Sequence, residues 1–256
     1  MIRITSRTFF LFSFIYLASA IWDVDETTAQ EVPLVAALSS HLVAITAGFT
    51  GTDVLLFGAT DGPGDIAVVV RGPTSDTVVR RKERLGPIWV NGTEAVLRDA
   101  PSYYRVATNR PLKEIASKLL LSQFQIGLEN IRLISANQVV DDKITREFRN
   151  AFIDLKLDDG LYDQGLGAVN FMSNRLFRTE LHFPAHVPTG TYLVEVYLFR
   201  DGQVTSAEIV PLNISKIGVG ADIYDFAHNL AFLYGLMAVI LAIAAGWAAS
   251  AAFRRV

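Results

Sequence analysis

Cysteine is absent from this 256-residue chain. That excludes disulfide scaffolds, thiol nucleophiles and cysteine-ligated zinc. Histidine is nearly as scarce: His41, His182, His186 and His228 are all there is, little material for an imidazole metal centre. Charged residues make up only 19%, and a formal net charge of −3 leaves no basic footprint for nucleic acid. Also missing are G-x-S-x-G, a Walker loop, G-x-G-x-x-G and H-E-x-x-H, so the expectation is a protein that is no enzyme and needs no cofactor. What is plentiful is apolar: 51% of residues, with a mean hydropathy of +0.32. The length suits about one or two domains.

The apolar excess is concentrated at the two ends. Arg3 and Arg7 precede the run Phe9–Leu17, and Ala18-Ser19-Ala20 supplies small residues at first and third position. A basic start, a short apolar core and an A-x-A site form a secretory signal peptide, assigned to 1–20. Retention through Ile21 and Trp22 as an uncleaved anchor, or cleavage after Ala29, are the alternatives. At the other end Leu230–Phe253 carries no charge. At 1.5 Å per residue it reaches about 36 Å, enough to cross a bilayer with some tilt. A membrane helix is therefore predicted over 228–253, in contact with lipid. Trp247 near one end and Phe232 and Tyr234 near the other sit where interfacial aromatics belong. Arg254 and Arg255 follow at once, whereas Asp222, Asp225 and His228 precede the span. Positive charge is retained in the cytoplasm, so 254–256 is read as a cytoplasmic tail and everything between the two ends as exported. That exported part, 21–227, holds 19 of the basic residues and all 26 acidic ones, a net −7. Its acidic surface is not drawn to anionic headgroups, so the body should stand off the bilayer.

Between those ends the periodicity divides the chain. An N-terminal extension, 21–34, leads to a first β segment, 35–110. There 41–46, 52–59, 65–72 and 76–84 are short apolar or alternating runs broken by Gly48 and Gly51, by DGPGD and by GPTSD. A helical segment, 111–160, follows. Asn109 is placed to cap a first helix with Pro111 in its first turn and Leu112, Ile115 and Leu119 on one face. Asp141 or Asp142 starts a second, with Ile144, Phe148, Phe152 and Leu155 as its stripe and Gly160 positioned to end it in the left-handed conformation. A second β segment, 161–217, contains 175–183 and 191–199, the latter alternating Tyr192, Val194, Val196 and Leu198. The Asp201-Gly202 hairpin turn and the return strand 206–215 follow it. Residues 218–227 form a connector. Short strands about every 12 residues argue an antiparallel sandwich. The PTGTY segment resembles the start of a late immunoglobulin-type strand, where a tyrosine hydroxyl ties down a corner. The predicted fold is mainly β: an immunoglobulin-like antiparallel sandwich with a helical insertion and one C-terminal membrane helix.

Candidate sites are few. The densest group is Arg80, Arg81, Lys82, Arg84 and Trp89, followed by Tyr103 and Tyr104; tryptophan, tyrosine and arginine are the side chains that anchor interfaces. The competing reading is a solvated strand edge whose tryptophan is core. Within the span, Ala238, Ala242, Gly246 and Ser250 recur every four residues as a strip on which another helix could pack. His182 and His186 lie four apart, but Pro184 between them denies a helical face. Asp158, Asp159 and Asp163 around Gly160 are read as a helix end and turn rather than a calcium loop, which needs alternating oxygens and a closing glutamate.

Several blocks resemble, in order, the alphaproteobacterial Alph_Pro_TM family of transmembrane proteins: TGTDVLLFGA, RRKERLGPIWVN, PSYY, NRPLKEIA, QIGLENI, EFRNAFIDLK, PTGTYLVEV and the LYGL of the final span. The resemblance covers nearly everything after residue 38. It implies an inner-membrane protein with its main domain in the periplasm, and brings no activity or binding residues with it. It also implies an accessory role beside a sulfite exporter of the TauE/SafE type. Two functions are therefore expected in competition: an interaction protein for an integral membrane partner, or a periplasmic anion- or solute-binding module using Arg80–Arg84 and Trp89.

Overall fold

A computed structural model describes residues 33–135 and 142–253 of the chain. The chain divides into two compact units at Val32/Pro33, and the described residues all belong to the second. The signal peptide 1–20, most of the extension 21–34, Asp141 and the tail 254–256 lie outside them.

Thirteen strands are formed among the described residues. The first sheet runs in the order β1 (Leu34–Leu38), β3 (Gly51–Thr60), β11 (Leu176–Pro184), β10 (Asn170–Phe171), antiparallel throughout. The second runs β2 (Leu42–Ile45), β13 (Gln203–Lys216), β12 (Gly190–Arg200), β4 (Asp65–Arg71), β7 (Tyr104–Thr108), β9 (Gly167–Ala168). Its two edge pairings, β2 with β13 and β9 with β7, are parallel. The strand order matches sheets A-B-E-D and G-F-C-C′ of an immunoglobulin-type sandwich. The two β segments thus make one sandwich, because β3 pairs with β11 and β4 with β12.

The sequence explains these strands directly. In β11, Phe177, Thr179, Leu181 and Phe183 are buried and the residues between them are exposed. In β12, Tyr192, Val194, Val196 and Leu198 have no exposed surface, as a period of two requires for one inward face. Tyr192 donates from its hydroxyl to the Pro188 carbonyl at 2.6 Å, the tyrosine corner that PTGTY announces. Val194, two residues on, occupies the position where disulfide-bonded relatives of this fold place a cysteine. Here it belongs to an apolar core that also contains Val54 and Leu56 of β3. Asp201 and Gly202 both adopt positive φ in the β12–β13 turn, as a type I′ hairpin demands.

The second sheet is covered on both faces. Ile66, Ala67, Val68, Val69 and Val70 of β4 are all buried, the continuous apolar pattern of a strand between two layers. The outer layer is the helical segment: α1 (Leu112–Ile115), α2 (Lys118–Gln123), a 3₁₀ turn at Leu128–Asn130, and α3 (Asp142–Asp158). Several details of that segment differ from expectation. Asn109 caps no helix: its Oδ1 accepts from the Ile66 N–H and its Nδ2 donates to Asp65, binding the end of β7 to the start of β4. Pro111 precedes α1 without a side-chain cap, Ser117 caps α2, and Leu119 is exposed while Leu121 is buried. In α3, Phe148 and Phe152 are buried as expected, but Leu155 is exposed and Ile153 and Leu157 pack on the core instead. Gly160, at φ +65, ends α3. The Leu161 N–H reaches back to the Lys156 carbonyl, the bond that closes a Schellman-type cap.

The remaining sheet is a long ribbon, β5 (Thr74–Leu85) and β6 (Ile88–Pro101), with the two-residue β8 (Ile134–Ser135) beside its base. The ribbon continues the β4–β7 pair: the Gly72 N–H donates to the Tyr103 carbonyl and the Ser102 N–H to the Pro73 carbonyl. After β13 the connector is helical, α4 (Val219–Asn229). A break at Leu230 then separates it from α5 (Ala231–Phe253).

Candidate functional site

α5 has 23 residues and no charged one, and every one of them is exposed. A soluble domain does not leave so much contiguous apolar surface in water, and no other described helix is long and apolar enough to cross a membrane. Ala238, Ala242, Gly246 and Ser250 all fall on this helix and all are exposed. Four-residue steps on a 3.6-residue turn keep them in one slowly drifting stripe, where side chains of at most one or two heavy atoms leave room for close helix approach.

The cluster around Arg80 does not stay together. Arg80 pairs with Glu94 across the ribbon at 2.8 Å, and Arg81 pairs with Glu147 of α3 while lying over the Phe148 ring. Those two cations tie the ribbon to itself and to the helical layer. Lys82 and Arg84 have no carboxylate partner among the described residues; Arg84 donates from Nε to the Gly86 carbonyl. Trp89 is 65% exposed, so the reading of it as a core tryptophan fails. It stands opposite Arg84 across the ribbon, and Leu85 stands opposite Ile88.

Tyr103 and Tyr104 are not surface residues. They are 0% and 1% exposed, and being consecutive in an extended chain they point to opposite faces of the second sheet. Tyr103 faces the sandwich: it stacks on Phe183 at 5.4 Å and its hydroxyl donates to the His182 carbonyl. Tyr104 faces the helical layer, donating to the Gln125 carbonyl and accepting from the Gly127 N–H. Burial pushes both phenols well above their ordinary pKa of 10.

Sequence reasoning missed a polar network beside Tyr104. Glu195 of β12, nearly fully buried, accepts from Arg71 at 2.9 Å and from the Tyr197 hydroxyl at 2.7 Å. Arg71 also donates to the Phe124 and Gln125 carbonyls. Four side chains and two loop carbonyls thus hold the helical layer onto the sheet. The only signal in sequence was a lone glutamate inside the alternation of TYLVEVYLF.

The other candidates separate in space. His182 pairs with Asp53 on the outer face of the first sheet at 2.7 Å, whereas His186 bonds the Asp159 carbonyl; they do not converge. Asp163 lies 3.7 Å from Arg105 and accepts from the Gly165 N–H, as a turn residue does. An open groove of about 1240 Å³ runs between α2 and α3. Leu119, Leu121, Ile153 and Leu166 line it, with Lys113 and Lys118 among its polar residues.

No curated protein matches the chain. A chain of a solved structure described as "Structural basis of T cell specificity and activation by the bacterial superantigen toxic shock syndrome toxin-1" is 11% identical, with 72% of this chain and 99% of that chain covered and a TM-score of 0.26. At that score the likeness carries no argument. The family model described as "Putative transmembrane protein (Alph_Pro_TM)" matches residues 33–255, from the residue before β1 to the arginines beyond α5. The chain therefore belongs to the Alph_Pro_TM family of transmembrane proteins.

Proposed function

We propose that this protein is a non-enzymatic accessory subunit, a β-sandwich held by a single membrane helix on the exported side of the bacterial inner membrane and docked to an integral membrane partner. The observation that carries the reading is α5. It is 23 residues long, uncharged and wholly uncovered, and its small-residue strip is built for another helix rather than for lipid alone. Orientation follows from Arg254 and Arg255 on one side of the span and from the basic, apolar and small-residue pattern of residues 1–20 on the other. A sulfite exporter of the TauE/SafE type is the partner that the family resemblance favours.

The competing reading, an anion- or solute-binding module at Arg80–Arg84, is weakened by the ion pairs. Two of its four cations are already engaged by Glu94 and Glu147. In-membrane crosslinking followed by purification of the tagged full-length protein tests the proposal. The same integral membrane protein should be recovered repeatedly, and replacing Ala242 and Gly246 with leucine should abolish it. Recovery of the chain alone under crosslinking would overturn the reading.

A further inference from the structure

The ribbon leaves the sandwich at the end where the membrane helix leaves it. In register, Arg71 at the end of β4 stands beside Leu193, and Leu193 beside Pro211 of β13. A Cβ on Gly190, which pairs with Ile214, would meet the Pro73 ring at 2.8 Å. β5 therefore starts at the level of the last residues of β13, and Lys216 opens the connector to α5.

Lengths decide what the ribbon can reach. From Gly72 to Leu85 it spans about 45 Å at 3.3 Å per residue, while Pro211 to Lys216 covers only about 17 Å of the same direction. The tip thus extends about 30 Å past the end of β13. The connector can hold the body off the bilayer by no more than about that distance: roughly 16 Å from the eleven residues of α4 and about 10 Å from its flanking residues. A ribbon this long, on a tether this short, can bring its tip to the bilayer surface.

The tip's chemistry fits that location. Leu85 is 68% exposed, Ile88 57% and Trp89 65%, unusual exposure for three large apolar side chains around one two-residue turn. Cross-strand partners share a face, so Arg84 lies on the face of Trp89, as does Lys82 two residues before it, and Leu85 and Ile88 share the other. Tryptophan favours the headgroup level of a bilayer, and lysine and arginine stems lie along apolar surface with their charges in the headgroups. The body as a whole is acidic, but the stretch 80–84 carries four cations to the single carboxylate of Glu83. With Arg80 and Arg81 paired to Glu94 and Glu147, Lys82 and Arg84 are the two left without a carboxylate partner among the described residues.

We propose that the β5–β6 tip is a second membrane contact, in which Trp89, Leu85 and Ile88 enter the interfacial region and Lys82 and Arg84 engage anionic phospholipid headgroups. The proposal rests on α5 lying in the bilayer but not on which side the body occupies or on any protein partner.

The test uses the full-length chain in vesicles of phosphatidylcholine with and without phosphatidylglycerol, carrying bromines at shallow or deep acyl positions. The chain has three tryptophans. Trp22→Phe/Trp247→Phe leaves Trp89 as the reporter, and Trp22→Phe/Trp89→Phe leaves Trp247. Expected is a blue-shifted Trp89 emission, quenched more by shallow than by deep bromines and independent of protein-to-lipid ratio. Lys82→Gln/Arg84→Gln should lower the docked-to-free ratio about 30-fold on phosphatidylglycerol vesicles and leave it unchanged on phosphatidylcholine alone. Water-like, unquenched Trp89 emission with Trp247 quenched would overturn tip docking while leaving the anchor intact. Unquenched Trp247 would overturn the anchor itself. Shielding of Trp89 that grows with protein density would show a second copy as the occupant and overturn the lipid contact. An unchanged signal after charge removal would overturn the headgroup assignment.

Discussion

Glu195→Gln probes the link between the sandwich and its helical layer. The substitution keeps the shape of the side chain but removes the charge facing Arg71, and its amide nitrogen can no longer accept from the guanidinium or from Tyr197. Removing one member of a buried ion pair costs about 3–5 kcal/mol. Arg71, however, is 21% exposed and retains the Phe124 and Gln125 carbonyls, which lowers the expectation to about 2–3 kcal/mol. For a body of this size that is a fall in Tm of about 5–10 °C. Near-UV circular dichroism of the full-length chain in detergent is the appropriate probe, because the aromatic contacts of the body set that signal and α5 stays helical in the micelle. The companion is Arg71→Leu/Glu195→Leu, whose loss should be smaller than the sum of the two single leucine variants by about 1–2 kcal/mol, as for residues that act through each other. A Tm within about 2 °C of the parent for Glu195→Gln, or strict additivity in the double variant, would refute the network as the bond between the layers.

Three further outcomes follow from the same structure. Tyr192→Phe removes the corner bond to Pro188 and should destabilise the body by about 1–2 kcal/mol in the same melts; no change would mean the corner is ornamental. Gly58→Ala should cost about 1–3 kcal/mol, because its Cβ would lie 2.5 Å from both the Phe177 ring and the Val35 carbonyl oxygen; an unchanged melt would contradict the close approach of β1 and β3. In an absorbance titration of phenolate, Tyr103, Tyr104, Tyr162 and Tyr197 should stay neutral well past pH 10, and Tyr192 to about 12, with burial the first cause in each. A raised phenol pKa adds stability that is complete below pH 10 and is lost as pH rises through the folded value. Alkaline unfolding should therefore accompany a late, steep phenolate step, and a single smooth titration at pH 10 would contradict the burial.

Much of the architecture was legible because it depends on local period and turn chemistry. Tyr192, Val194, Val196 and Leu198 announced an inward face, Asp201-Gly202 a hairpin, Gly160 a helix end and PTGTY a corner. Each was a short-range pattern that the fold had no reason to override. Several of the failures share a physical cause: a second layer on the outer face of the β4 sheet. Tyr103 and Tyr104, beside a cationic stretch, read as surface, and only a sheet buried on both sides takes two consecutive tyrosines into opposite cores. The same layer sets the buried positions of α3 at Ile153 and Leu157 rather than Leu155, whereas Asn109 is lost as a cap because Asp65 and the Ile66 N–H of β4 take its side-chain amide. The ribbon was half visible. Residues 76–84 read as a strand, but its partner β6 was obscured by Gly92 and by an exposed Trp89 that ordinary burial statistics assign to a core.

The central claim is that the body stands outside the cytosol, moored by α5, and the absence of cysteine makes it directly testable. Gln203→Cys places one thiol at the exposed start of β13, and Val256→Cys places one beyond the span. In intact spheroplasts, a membrane-impermeant maleimide should label the first chain at once and the second only after lysis. Labelling of Val256→Cys with Gln203→Cys protected would contradict the account.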